Sequence, residues 1–122
     1  MGGFGAYALT RLQPGRFCAV GGHSADIPPT ADTADPGAFD NASDFGRKRR
    51  DRRRHREPEP YGHAQLWLDG GAQDPFHAWD DQLASALHIP MHVWPGGHDF
   101  GYWNAHWSDY LGFYAHALAT CR

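Results

Sequence analysis

Residues 64–98 decide the fold: Ala64-Gln65-Leu66-Trp67-Leu68, then Asp69-Gly70-Gly71-Ala72-Gln73, then Asp74-Pro75-Phe76 running on to Leu87, then Pro90-Met91-His92-Val93-Trp94 and Pro95-Gly96-Gly97-His98. The first block is a short apolar run closed by glycines, which reads as a buried strand. Asp74-Pro75 opens a helix, the acid suited to the N-cap and the proline to the first helical position. Phe76, Trp79, Leu83 and Leu87 then recur at helical spacing as its apolar stripe. Pro90–Trp94 is a second strand, and Pro95-Gly96-Gly97-His98 a turn.

The same alternation extends to both sides. Gly2 to Leu12 reads as a glycine-rich helix carrying Phe4, Ala8 and Leu12 on one face, ended by Pro14-Gly15. Phe17-Cys18-Ala19-Val20 reads as a buried strand that leaves through the loop Gly21-Gly22-His23-Ser24. Beyond the core block, Trp103, Trp107, Tyr110, Tyr114, Ala117 and Cys121 advance by alternating fours and threes, one face of a single amphipathic helix. The order helix, strand, loop, strand, helix, strand, helix implies an α/β fold of about three parallel strands with flanking helices.

Between Asp26 and Pro60 periodicity disappears. An irregular stretch of that length in a compact domain signals a lid, a binding loop or a segment without a packed core. It contains residues 47–56, with eight of the chain's eleven Lys and Arg and one acid. That run carries +7, and the rest, three cations against thirteen acids, carries −10. Phosphate attraction makes the run a candidate polyanion or nucleic-acid contact. No aromatic residue interleaves it to stack bases, and a solvated loop partly neutralised by the acidic body is the simpler reading.

With 122 residues the chain has room for one compact unit, residues 1–122. No apolar run approaches the roughly 18–20 residues of a membrane span. Met1-Gly2-Gly3-Phe4 shows no basic segment followed by an apolar one, so no signal peptide is visible, and a genuine start there implies a cytoplasmic protein. Cys18 and Cys121 form no redox or metal motif and pair only if the fold brings them together. Pro90 interrupts any helix that would set His88 and His92 on one face, and no His-Glu-x-x-His pattern is present. His98 does not complete a set with them, and His106 and His116, ten residues apart, are too far for one ligand set. No metal is expected.

In open parallel sheets functional groups collect beyond the carboxyl ends of the strands. Asp74 follows one strand there and His98 the next. An acid and a histidine so placed suit an acid–base relay, in which the acid fixes the imidazole tautomer and the free nitrogen faces a nucleophile. Taken singly, Asp74 is as well explained as a helix cap and His98 as a turn residue.

Met1-Gly2-Gly3-Phe4-Gly5-Ala6 resembles the residues that follow the serine in the Gly-x-Ser-Met-Gly-Gly elbow of α/β-hydrolase-fold esterases. The group meant is the one holding esterase D (S-formylglutathione hydrolase) and the antigen 85-type mycolyltransferases. Arg16–Val20 through Ser24, Leu68-Asp69-Gly70-Gly71 to Asp74-Pro75-Phe76, Gly96-Gly97-His98, and Tyr102-Trp103 match it in order. Residues 26–60 do not.

The resemblance implies a partial α/β-hydrolase fold without the N-terminal half of the sheet. It implies carboxylic-ester hydrolysis or acyl transfer on a small-molecule ester with no cofactor. Asp74 is then the triad acid, His98 the general base, and Asp69 a strand-end acid outside the triad. Met1 would supply an oxyanion-hole amide and Gly2 the elbow glycine. Trp94, Phe100, Tyr102 and Trp103 flank the histidine as candidate acyl-pocket residues, a placement core packing explains equally. The serine would stand directly before Met1, so the chain by itself is expected to be inactive. Ser24 is a poor substitute, since the elbow's following glycine is missing. The sheet edge left by the missing half is expected to favour self-association.

Overall fold

The computed structural model describes residues 2–28, 40–41, 43 and 61–121. Among them stand α1 (Gly2–Leu12), β1 (Ala19–His23), β2 (Gln65–Gly71), α2 (His77–Leu87), β3 (Met91–Trp94), α3 (Phe100–Ala105) and α4 (Trp107–Ala119). The strands form one parallel sheet in the order β1-β2-β3. Register runs from Ala19↔Gln65 to His23↔Asp69, and from Leu68↔Met91 to Gly71↔Trp94. All three carboxyl ends therefore open on the same side, where the segments after residues 23, 71 and 94 gather. The basic run 47–56, Met1 and most of the 26–60 excursion lie outside the described residues.

Side chains alternate across β2 because successive residues of a strand point to opposite faces. Leu66 and Leu68 meet the core built by Phe4 and Tyr7 of α1 and Leu83, Ala84 and Leu87 of α2. Trp67 and Asp69 face the other way, toward α3 and α4, where Trp67 packs on Phe113 and Asp69 meets Tyr110. Both faces of β2 are thus covered, as parallel sheets require. Tyr7 reaches from α1 across to β2, its hydroxyl donating to the Trp67 carbonyl at 2.9 Å. Burial raises that phenol well above its ordinary range.

The structure shifts several sequence readings. In α1 the buried face is Phe4, Tyr7, Thr10 and Arg11, whereas Leu12 is exposed. β1 begins at Ala19 and includes Gly21-Gly22-His23, and β2 extends through Asp69-Gly70-Gly71, because ladder pairing to the neighbouring strand continues past the apolar residues. The terminal helix is two helices broken at His106, whose backbone leaves helical geometry and whose ring stacks on Trp94 at 4.0 Å. Trp107, in the expected stripe, is 61% exposed, while Tyr102, Tyr110 and Ala117 are buried.

Cys18, just before β1, and Cys121, just after α4, form a disulfide with a Cα–Cα distance of 5.5 Å, inside the usual range for such a bond. Their sequence separation of 103 makes the closed loop long. In the chain-entropy account such a loop is worth roughly 4–5 kcal/mol.

Asp80 of α2 is fully buried and clamps the segment after β1. Its Oδ2 accepts the Ala25 N–H at 2.7 Å and its Oδ1 the Ile27 N–H at 3.3 Å. Burial pushes its carboxyl up to about 7, with Asp74 adding to the rise, while the backbone donors oppose it. The fold therefore holds a proton that the unfolded chain releases near pH 4. Stability from this group is complete below about pH 4 and is lost as pH rises toward 7, at most about 4 kcal/mol. Urea midpoints measured between pH 4 and 7 are expected to fall more steeply for the wild-type chain than for Asp80→Asn. Parallel slopes would remove this role.

Candidate active site

The loops after β2 and β3 are laced together by backbone. Ala72 N–H donates to the Trp94 carbonyl at 2.8 Å and Gln73 N–H to the Gly96 carbonyl at 2.9 Å. The Gln73 side-chain carbonyl accepts the Gly96 N–H at 2.8 Å. A Cβ at Gly71 would run into the Gly96 carbonyl, so only glycine lets the loops approach this closely. That lacing sets the residues that follow, Asp74 and His98, against each other.

Asp74 Oδ2 and His98 Nδ1 stand 3.1 Å apart. The carboxylate is fully buried, and the imidazole side chain is 34% exposed. Asp74 Oδ1 accepts the Phe76 N–H at 2.8 Å. The N-cap position is Phe76 and has no side-chain cap, so the carboxylate closes a turn ahead of the helix through Oδ1 and meets the histidine through Oδ2. The helix itself starts at His77, later than the Asp74-Pro75 reading expects. The reason is the tight turn that Asp74 closes on Phe76. The imidazole is fixed at its sides by Phe76 and Trp103, both edge-on with ring centroids at 5.2 Å. Among the described residues its Nε2 makes no hydrogen bond. A buried acid on Nδ1 with Nε2 open is the form in which a histidine takes a proton from a hydroxyl and returns it to a leaving group.

A second acid–histidine pair lies on the α4 side of the sheet. His23 Nδ1 meets Asp69 Oδ2 at 2.6 Å, and its Nε2 meets the Tyr114 hydroxyl at 3.0 Å. The outline is that of a relay, but the surroundings are structural. Trp67 Nε1–H donates to Asp69 Oδ2 at 2.6 Å, and the Tyr102 and Tyr110 hydroxyls donate to Oδ1, each at 3.0 Å. Burial, then the neighbouring Asp69 charge, raises the Tyr114 phenol, which keeps it neutral and a poor nucleophile. Both His23 nitrogens are occupied. The network joins β1, β2, α3 and α4 around one carboxylate.

The remaining candidate residues are dispersed. Tyr102 is buried and committed to Asp69. Trp94 stacks on His106. Phe100 is 78% exposed and packs edge-on against Trp103, the one member of the four whose ring meets His98. Gly2 opens α1 at the surface. The next residue, Gly3, sits so close to Ala25 that a Cβ would collide with it. Ser24 has φ 53°, and its buried hydroxyl has no hydrogen-bond partner among the described residues, so no histidine is placed to activate it. No three His, Cys, Asp or Glu side chains among the described residues are grouped to hold a metal ion. No described helix is long and apolar enough to cross a membrane.

Phe76, read in the sequence as part of the helix stripe and of the Asp74-Pro75-Phe76 element, is the neighbour of His98 that was given no site role, and its position directly after Asp74-Pro75 is the signal that could have found it. No family model, no curated protein and no solved structure matches this chain.

Proposed function

We propose that this chain carries the acid–base half of a serine esterase or acyltransferase of the α/β-hydrolase fold. Asp74 orients His98, and His98 shuttles the proton between a seryl hydroxyl, the acyl group and its acceptor. The observation that carries the reading is the 3.1 Å contact between buried Asp74 and His98 Nδ1, with Nε2 making no hydrogen bond among the described residues. The parallel order of the three strands supports the reading, since both residues follow strand carboxyl ends, where functional groups commonly collect. In this reading the nucleophile is a serine directly preceding Met1, α1 is the helix that follows the elbow, and Gly3 permits its close seat on Ala25.

The test is labelling by a fluorophosphonate of a chain extended upstream through a Gly-x-Ser segment and its supporting strands. Labelling at that serine, abolished by His98→Ala, is the expected result. An extended, folded chain that takes no label would overturn the proposal.

A further inference from the structure

Away from the Asp74–His98 loops, the described residues line an open-mouthed cavity of about 270 Å³ formed by Cys18, His63, Gln65, Ala117, Thr120 and Cys121. One of its walls is the disulfide that ties the start of β1 to the end of α4. Cys121 is exposed and Cys18 half-buried, so the two sulfurs are not equivalent toward a reagent from solvent. The remaining polar lining suits a small amide-bearing molecule. Gln65 Nε2–H donates to Thr120 Oγ1 at 2.9 Å, presenting an amide and a hydroxyl side by side, and His63 is exposed beside them.

We propose that this cavity is a thiol-exchange site, in which the thiolate of a small peptide thiol attacks Cys121 Sγ and expels Cys18. Exchange needs the attacking sulfur in line with the bond that breaks and opposite the leaving sulfur. Cys121 is the more exposed of the two cysteines, so a reagent from solvent meets its sulfur first. In the first step an S–S bond forms between the reagent and Cys121, the Cys18–Cys121 bond breaks, and Cys18 leaves as a thiolate that takes a proton from water. A second thiol then attacks the mixed disulfide and frees Cys121. Two reagent thiols are oxidised to one disulfide, and the protein disulfide is reduced to two thiols. Two contacts that hold α4 to the sheet, Tyr110 on Asp69 and Tyr114 on His23, do not involve the cysteines and remain after this step. The exchange therefore switches the tether between β1 and the end of α4 without unfolding the sheet.

The experiment treats the native oxidised protein with reduced glutathione at neutral pH, quenches by alkylation at intervals and maps the peptides. The expected result is a rate proportional to glutathione concentration, with glutathione on Cys121 and the alkyl group on Cys18. Tryptophan fluorescence is expected to stay native throughout. A rate independent of glutathione concentration would mean that opening of the fold limits reduction, and would overturn the proposal. So would glutathione found on Cys18. A Cys18→Ser chain, whose Cys121 is a free thiol, is expected to take up glutathione from oxidised glutathione while folded, and failure to do so also overturns it.

Discussion

Asp69→Ala is expected to lower the unfolding free energy by about 3–5 kcal/mol, the cost typical of removing one partner from a buried polar network. Asp69 is fully buried and joins His23, Trp67, Tyr102 and Tyr110. With the carboxylate gone, two phenols and an indole N–H face a space without an acceptor, and each unpaired buried donor costs about 1–3 kcal/mol. The full sum is not reached, because some of these groups rotate toward water. Urea unfolding followed by tryptophan fluorescence measures the loss, with Trp67 inside the network as a direct reporter. Asp69→Asn keeps one oxygen and is expected to lose less. A change below about 1 kcal/mol for Asp69→Ala would show that the network ornaments the contact between α4 and the sheet rather than fixing it.

In the serine-bearing extended chain, His98→Ala and Asp74→Asn are each expected to lower kcat by roughly 10⁴-fold, with KM changed far less. The two substitutions act on one unit, so the double variant is expected to lose about as much as His98→Ala alone. Asp74→Asn is the sharper probe, since it keeps shape and the bond from the Phe76 N–H but offers Nδ1 no charged acceptor. The separation from Asp69 is equally specific. Asp69→Asn disturbs stability, whereas Asp74→Asn disturbs turnover, and an exchange of those two outcomes would reassign the site to the His23 side of the sheet.

Much of this was legible in the residues. The apolar runs and their glycine stops placed three strands, and parallel alternation put Asp74 and His98 on adjacent loops, which stand 3.1 Å apart. Periodicity failed where polar partners outweigh hydrophobicity. The terminal stripe with Trp107 inside assumes an unbroken helix, but stacking of His106 on Trp94 interrupts it and turns Trp107 outward. Asp69 looks like a strand stop beside two glycines. It lies inside β2 because Tyr102, Tyr110 and Trp67, distant or adjacent in sequence, supply the donors that let an acid be buried. Asp80 likewise belongs to a helix face that reads as polar, and only the loop 25–27 folded over it explains its burial. The pairing of Cys18 with Cys121 depends on α4 returning along β1, a long-range fact that spacing does not contain.

The most direct test of the central claim is the tautomer of His98, read from long-range ¹⁵N–¹H correlations on the intact chain at a pH where the ring is neutral. A buried Asp74 carboxylate on Nδ1 requires the proton on Nδ1 and leaves Nε2 bare to act as a base, and Asp74→Asn should redistribute that proton between the two nitrogens. The proton found on Nε2 in the wild-type chain, or a tautomer indifferent to Asp74→Asn, would contradict the assignment of these two residues as an acid–base pair.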